Sequence, residues 1–264
     1  MYNFSYHRPG SVADAVNALN GAEDGKYVAG GQTLLPTMKQ RLAAPSDLVD
    51  LADIAEMQGI TVADGNVTIG AMTCHADVAN SADVQNAIPA LAGLAARIGD
   101  PAVRHKGTLG GSVANADPAA DYPAAVCALG ASVNTNKRSI SGDEFFTGLF
   151  ETALEEDEII VSISFPIPDA AAYMKFENPA SRYAVVGVFV ARMSDGARVG
   201  VTGATANAHR GPRIEAALNA NFSPDAIDSV ELPVDHMNAD IHASQEYRAH
   251  LVKVMAKRAV AACS

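Results

Sequence analysis

Basic residues are scarce in this chain. Its 19 Lys and Arg stand against 30 Asp and Glu, a formal net charge of −11. Nucleic acid and anionic membrane both ask for a basic face, so both are excluded as natural partners. Charged residues make up only 19% and hydrophobic ones 48%, so no segment is polar enough to read as disordered. Cysteines are few and scattered: Cys74, Cys127 and Cys263, with no CxxC pair. That excludes a zinc ribbon and an iron–sulfur ligand set on this chain, and each reads as a small buried or peripheral thiol. Long apolar runs are missing too. The longest, "YAVVGVFVA" at 183–191, is about half of what a membrane-spanning helix needs. The opening "MYNFSYHRPG" lacks the apolar stretch of a signal peptide, and a cytoplasmic protein is expected. Nowhere are two glycines spaced G-x-G, and GxxxxGK[ST] does not occur. The two commonest nucleotide fingerprints are therefore absent.

The patterning indicates an α+β chain. A strand at Phe4–Tyr6, a helix from Val12 to Leu19 capped by Ser11, a strand at Lys26–Ala29, a helix from Leu34 to Leu42 and a strand at 47–51 make a small α/β unit. From Gly59 the character changes. A hairpin turns at Asp64-Gly65-Asn66, and helical spacing follows at 73–79, 88–98 and 121–129. Then come a hairpin in "ASVNTNKRSISG" and a strand in "EIIVSISFPIP". "PIPDAA" breaks the pattern at 166–171. Two long strands, 183–193 and 197–205, and helices at 212–219 and 244–261 complete the reading.

Two glycine segments carry the chemistry. In "VAGGQTLLPTMKQR" (28–41), Gly30 and Gly31 follow an apolar strand and precede a helix. In "GTLGGSVANADPAADYPAA" (107–125), Gly107, Gly110 and Gly111 bracket Thr108, with Ser112 and Asn115 beyond. Glycine lets main chain approach a ligand closely, and clustered N–H groups can hold an anion without a lysine. Such a site suits an acidic protein. Thr33 and Gln32 add donors, Arg104, His105 and Lys106 form the densest basic cluster, and Asp117 and Asp121 are placed as acceptors for a sugar or an adenine. Two such loops fit a ligand with two phosphates, and a side chain at Gly31 would then occupy the diphosphate's place. A purely structural turn is the alternative for either pair. The seven histidines form no ligand set, with His75 and His209 read as cap or surface contacts. Residues 155–158 read as a solvated acidic turn.

"AGGQTLLPTMKQR" and "TLGGSVANADPAAD" closely resemble the two flavin motifs of the FAD-binding medium subunit of molybdenum hydroxylases, the family of aerobic carbon monoxide dehydrogenase, xanthine dehydrogenase and bacterial aldehyde oxidoreductases. The similarity extends to "FSYHRPGSVADAV", "EIIVSISFP" and "DIHASQEYRAHLVKVMAKRAV". The resemblance implies a two-subdomain FAD-binding domain of the PCMH (vanillyl-alcohol oxidase-like) type at 1–168, with subdomains 1–55 and 56–168. A smaller C-terminal α+β domain of the carbon monoxide dehydrogenase flavoprotein type would span 169–264. It implies non-covalent FAD, with Ala29, Gly30, Gly31, Gln32, Thr33 and Leu34 around the diphosphate. Thr108, Gly110, Gly111 and Ser112 would form a second cradle, with Asp121 at the ribose or adenine end. Ile98 and Ile160 would pack near the flavin, and Lys175 and Tyr183 would sit by the isoalloxazine. His105 as a covalent anchor does not fit a family whose flavin is normally non-covalent. Asp240, Tyr247 and Arg248 look structural, holding the last helix. Ser112 replaces a more usual Asn, and Gln32 stands where His is frequent in the carbon monoxide branch, which leaves the branch open.

By the same resemblance, the chain is an electron-transfer subunit with no catalytic residue or metal ligand of its own. Its partners would be a large molybdopterin-bearing subunit and a small subunit with 2Fe–2S clusters, as a dimer of heterotrimers. NAD, a quinone or oxygen would take the electrons. Two rivals remain: a stand-alone flavin oxidoreductase on the same fold, and a nucleotide- or CoA-binding module without redox function.

Overall fold

A computed structural model describes residues 1–263. The N-terminal unit runs β1 (Ser5–His7), α1 (Val12–Asn20), β2 (Gly25–Val28), α2 (Leu34–Lys39) and β3 (Asp47–Asp50). Its three strands are parallel in the order β1-β3-β2. Ser11 caps α1 as its sequence position suggests: the hydroxyl accepts from the Asp14 amide at 3.1 Å. Helix α2 stops earlier than its apolar spacing predicts, because Arg41 turns left-handed at φ 61°. Val28, Met38 and Leu48 form a small core under this sheet.

The middle segment holds β4 (Ile60–Ala63), β5 (Asn66–Gly70), α3 (His75–Asn80), α4 (Ala82–Ala87), α5 (Pro89–Ala96), α6 (Pro101–Arg104), α7 (Leu109–Asn115) and α8 (Tyr122–Ala128). It continues with β6 (Ser132–Thr135), β7 (Ser139–Ser141), α9 (Gly142–Phe145), β8 (Phe146–Gly148), β9 (Glu151–Thr152) and β10 (Ile160–Pro166). An antiparallel sheet takes the order β4-β5-β10-β6-β7. The β4–β5 turn has Asp64 and Gly65 at φ 50° and 74°, the two positive values that a tight hairpin demands. Helix α8 is buried from end to end. Its "YPAAVCA" is apolar all round because structure covers it on every side.

The remaining elements are β11 (Ala170–Glu177), β12 (Ala184–Met193), β13 (Gly196–Thr202), β14 (His209–Arg210), α10 (Pro212–Ala220) and α11 (Gln245–Ala262). The four strands form an antiparallel sheet in sequence order. Strand β11 falls where the sequence pattern breaks, so composition alone places a boundary there and misses a strand. Strand β12 explains the long apolar run. Val186, Val188 and Val190 join the C-terminal core with α11, while Phe189 and Ala191 face the core of the middle segment. A strand buried on both faces shows no polar alternation.

Arg248 fastens α11 to the sheet. It is 4% exposed and donates to the carbonyls of Val185 (2.6 Å) and Gly203 (2.8 Å) and to Asp240 (2.6 Å). On the other face, β13 lies on α8 at Gly200, where a Cβ would overlap the Ala124 carbonyl and come within 3.0 Å of the Ala128 amide. Gly200→Ala is therefore expected to lower stability by about 1–3 kcal/mol, through forced separation of sheet and helix. Urea denaturation of the two proteins checks this.

Candidate functional site

The glycines of the two loops chiefly accommodate protein. A Cβ on Gly30 would overlap the Lys106 carbonyl oxygen and lie 2.6 Å from the Gly107 Cα. A Cβ on Gly111 would lie 2.9 Å from the Thr108 hydroxyl and 3.3 Å from the Ala29 Cβ. Gly110 packs on Ala71, and Gly107 on the His75 ring, with a Cβ falling 2.5 Å from the Ala71 Cβ and 2.7 Å from His75 Nε2 respectively. So the two loops rest on each other, main chain against main chain. At Gly31 the need is conformational. Its φ is 69°, and a Cβ there would point at the Leu35 side chain, 2.7 Å away, and not only into ligand space as the sequence suggested.

Beside this contact opens a cavity of ≈ 690 Å³, within the usual range of ligand sites, about 300–1,000 Å³. Ala29, Gly30, Gly31, Gln32, Thr33 and Leu34 line it, as do Thr108, Gly110, Gly111, Ser112, Ile98, Asp121, Ile160 and Tyr183. Among the described residues, no acceptor takes the main-chain N–H of Gly30, Gly31, Gln32 or Thr33. Four neighbouring donors around a left-handed glycine make a concave anion site.

The second loop is different. Leu109 N–H goes to Thr73 O (3.1 Å), Gly110 N–H to Ala71 O (2.8 Å), Gly111 N–H to Thr108 Oγ1 (3.1 Å) and Ser112 N–H to Thr108 O (3.1 Å). Those amides are committed to the protein, so the expected second main-chain cradle does not form at 109–112. Ser112 and Asn115 of this segment still line the cavity. The upstream basic cluster is largely structural too. Arg104 donates to the carbonyls of Ile98 (3.0 Å) and Gly99 (3.1 Å), and the His105 ring bonds Pro101 O at 2.6 Å.

Lys175 does not line the cavity. Its ammonium is enclosed, 2.9 Å from Asp121 Oδ2 and 3.3 Å from the Arg97 carbonyl. Tyr173 donates its hydroxyl to Asp121 Oδ1. The sequence reading put Asp121 and Lys175 at opposite ends of a ligand, and a direct ion pair rules that out. Burial pushes the Asp121 carboxyl up, while Lys175 and Tyr173 pull against it. Across the cavity, Tyr183 is 46% exposed in the loop between β11 and β12. In that loop, Arg182 turns left-handed at φ 61° and reaches the Gly99 carbonyl at 3.4 Å.

Three further wall residues escaped the sequence reading. Glu158 is no part of a solvated turn: Arg138 clamps both its oxygens at 3.0 Å, Thr135 and the Glu155 amide add bonds, and the Arg138 guanidinium holds its carboxyl down at about 2. Tyr27 stands in β2, with a buried hydroxyl that has no partner among the described residues. His75, expected as a cap or surface contact, is 4% exposed and tilts against the Tyr122 ring, centroids 5.4 Å apart. Burial, with Arg104 nearby, depresses its imidazole from 6.5 to about 4. The only sequence signal for this was its place beside an apolar turn in "TCHADV". Among the described residues, no cluster of His, Cys, Asp and Glu suits a metal ion, and no helix is long and apolar enough to cross a membrane.

Residues 2–168 match the family model described as the FAD binding domain in molybdopterin dehydrogenase. The chain is 34% identical over 270 residues to the nicotine 6-hydroxylase medium subunit of Paenarthrobacter nicotinovorans, covering 97% of this chain and 95% of that one. It is 34% identical over 275 residues to the carbon monoxide dehydrogenase medium chain of Hydrogenophaga pseudoflava, covering 97% and 96%. Among solved structures, the carbon monoxide dehydrogenase of Hydrogenophaga pseudoflava that lacks the Mo-pyranopterin moiety superposes with TM-score 0.89 at 36% identity, over 99% of this chain and 97% of that one.

Two outcomes follow from this geometry. Gly30→Ala should cost about 1–3 kcal/mol, because its methyl must part the two loops, whereas Ser112→Ala should stay within about 0.5 kcal/mol; urea denaturation compares them. His75 binds no proton in the fold until about pH 4, whereas the unfolded chain binds one below 6.5. Its contribution to stability is thus complete above pH 6.5 and fades as pH falls toward 4. In His75→Leu, stability measured across that window should fall less steeply than in the wild type.

Proposed function

The chain belongs to the family of FAD-binding medium subunits of molybdopterin dehydrogenases, and from that premise we propose that it is the electron-transfer flavoprotein subunit of a molybdenum hydroxylase complex, holding FAD in the cleft between its two glycine loops. The observation that carries this reading is the row of unpartnered amides from Gly30 to Thr33 at the wall of a cavity of ≈ 690 Å³. Neutral main-chain dipoles can hold a diphosphate in a protein of charge −11, where side-chain cations are few. The residues present fit the group: amide donors for phosphate, a serine at Ser112 in the same lining, acceptors at Asp117 and Asp121, and an apolar wall that includes Met72, Ile98 and Ile160.

When bound, FAD supplies the redox chemistry, taking up electrons and passing them on. The chain's own residues bind and orient it. The loop from Ala29 to Leu34 would grip the diphosphate, and Asp121, tied to Lys175 by their ion pair, would serve the isoalloxazine end expected of Lys175. Tyr183, a half-exposed residue of the cavity lining, would pack beside that end and limit entry of water. The medium rank in the relatives' names supports two further subunits for this chain, a large one with molybdopterin and a small one with 2Fe–2S clusters, in a dimer of heterotrimers. Electrons would arrive from the clusters and leave to NAD, a quinone or oxygen.

The purified chain should be yellow and release FAD on heating, and affinity capture from its source should bring down molybdenum- and cluster-bearing chains. A colourless chain that refuses added FAD would refute the reading. Asp121→Ala should weaken FAD by about 1–3 kcal/mol if the carboxylate accepts a hydrogen bond from it, a difference that fluorescence titration resolves.

A further inference from the structure

One glycine of β12 is unexplained by the fold. "AVVGVFVA" is a strand buried on both faces, and a glycine in its middle weakens it by giving up packing and adding chain entropy. Gly187 pairs with Lys175 across the sheet, and Tyr173 lies two residues before Lys175 on the same face of β11. A Cβ on Gly187 would overlap the Tyr173 hydroxyl and sit 3.0 Å from its ring carbon Cζ. The missing side chain is the slot through which the phenol reaches Asp121. Tyr173, Lys175 and Asp121 are 7%, 7% and 5% exposed, and Asp121 lines the cleft.

An ion pair between Asp121 and Lys175 already balances the buried charges. The phenol adds no charge; it fixes a direction. With Tyr173 on Oδ1 and Lys175 on Oδ2, the carboxylate is held at both oxygens, in a residue that lines the cavity. We propose that Tyr173 is a positioning residue for the flavin site: by donating to Asp121 through the slot at Gly187, it holds that carboxylate in one place on the wall of the cofactor's cleft, so that its negative charge sets the flavin's potential. This rests on the reading of the cleft as the FAD site. Burial already raises the Asp121 carboxyl, and Lys175, Tyr173 and Arg97 oppose that rise. Removing one of the three eases protonation, and a neutral Asp121 opposes electron uptake less.

The test uses the full chain with FAD. In Tyr173→Phe the FAD dissociation constant should rise about tenfold, the worth of the charge-assisted hydrogen bond from the cofactor that a displaced Asp121 forfeits. The flavin midpoint potential at pH 7 should become more positive. Gly187→Ala, which leaves the phenol in place and displaces its hydroxyl, should move the potential in the same direction. Thermal unfolding of the FAD-free proteins serves as the control for a structural role. A Tyr173→Phe potential equal to wild type overturns the inference, whatever happens to affinity or melting temperature, because a structural contact alone would leave the potential still. A wild-type chain that binds no FAD would bring down the flavin reading itself, and this inference with it.

Discussion

The site depends on one contact: the main chain at Gly30 resting against the main chain at Lys106 and Gly107. No side chain fits between them. That contact sets the distance between a loop from the parallel N-terminal sheet and a loop from the antiparallel middle segment, and the cleft is the space beside it. Protein interiors tolerate little overpacking, so a single methyl at this point would change the shape of the whole cavity. The glycines of the second loop serve the same end. Gly107 seats on His75 and Gly110 on Ala71, which holds α7 against the turn that follows β5. Once that loop is seated, its amides are spent on Thr73, Ala71 and Thr108. The two loops look alike in sequence yet behave differently in the fold. The first presents donors, and the second braces it.

The C-terminal segment adds wall through the loop between β11 and β12 of its sheet, with Ser181, Arg182 and Tyr183. Because β12 is buried on both faces, one strand couples the core under α11 to the core that contains α8. The same sheet carries Tyr173 and Lys175 to Asp121 at the start of α8. A carboxylate this deep is costly unless paired and hydrogen-bonded, and here both partners come from β11. The end of the cleft at Asp121 therefore exists only when the middle and C-terminal segments are docked. Cutting the chain near residue 168 would leave Asp121 without either partner.

Much of this was legible in the sequence, and the rest was hidden for identifiable reasons. Local signals were read well: the Ser11 cap, the Asp64-Gly65 turn, the long β12 run and the last helix all depend on neighbours within a few residues. The pair of glycine motifs led to two loops that the fold brings together, and of the residues named for the site all but Lys175 line the cavity beside them. What failed was long-range. Strand β11 begins with small residues after prolines, and only its pairing with β12 makes it a strand. Gly30 reads as a ligand contact until Lys106 is placed beside it. Lys175 and Asp121 carry opposite charges far apart in sequence, and nothing local says that they meet. Glu158 follows exposed Glu155 and Glu156 and half-buried Asp157, and its difference comes from Arg138 in the preceding hairpin.

Charge supplies the last link between composition and site. A chain of net charge −11 repels a diphosphate, and the sequence offers one basic cluster, Arg104-His105-Lys106, as an apparent remedy. In the fold, Arg104 and His105 are turned to the carbonyls of Ile98, Gly99 and Pro101, where they tie down the turn ahead of the second loop. The groups left free to meet an anion are instead the uncharged N–H groups of residues 30–33, around the left-handed Gly31. Such donors carry no counter-ion atmosphere, so they need not compete with the protein's own carboxylates for pairing. The shortage of basic residues is thus compatible with the proposed phosphate site, which would be built from the part of the chain that composition does not count.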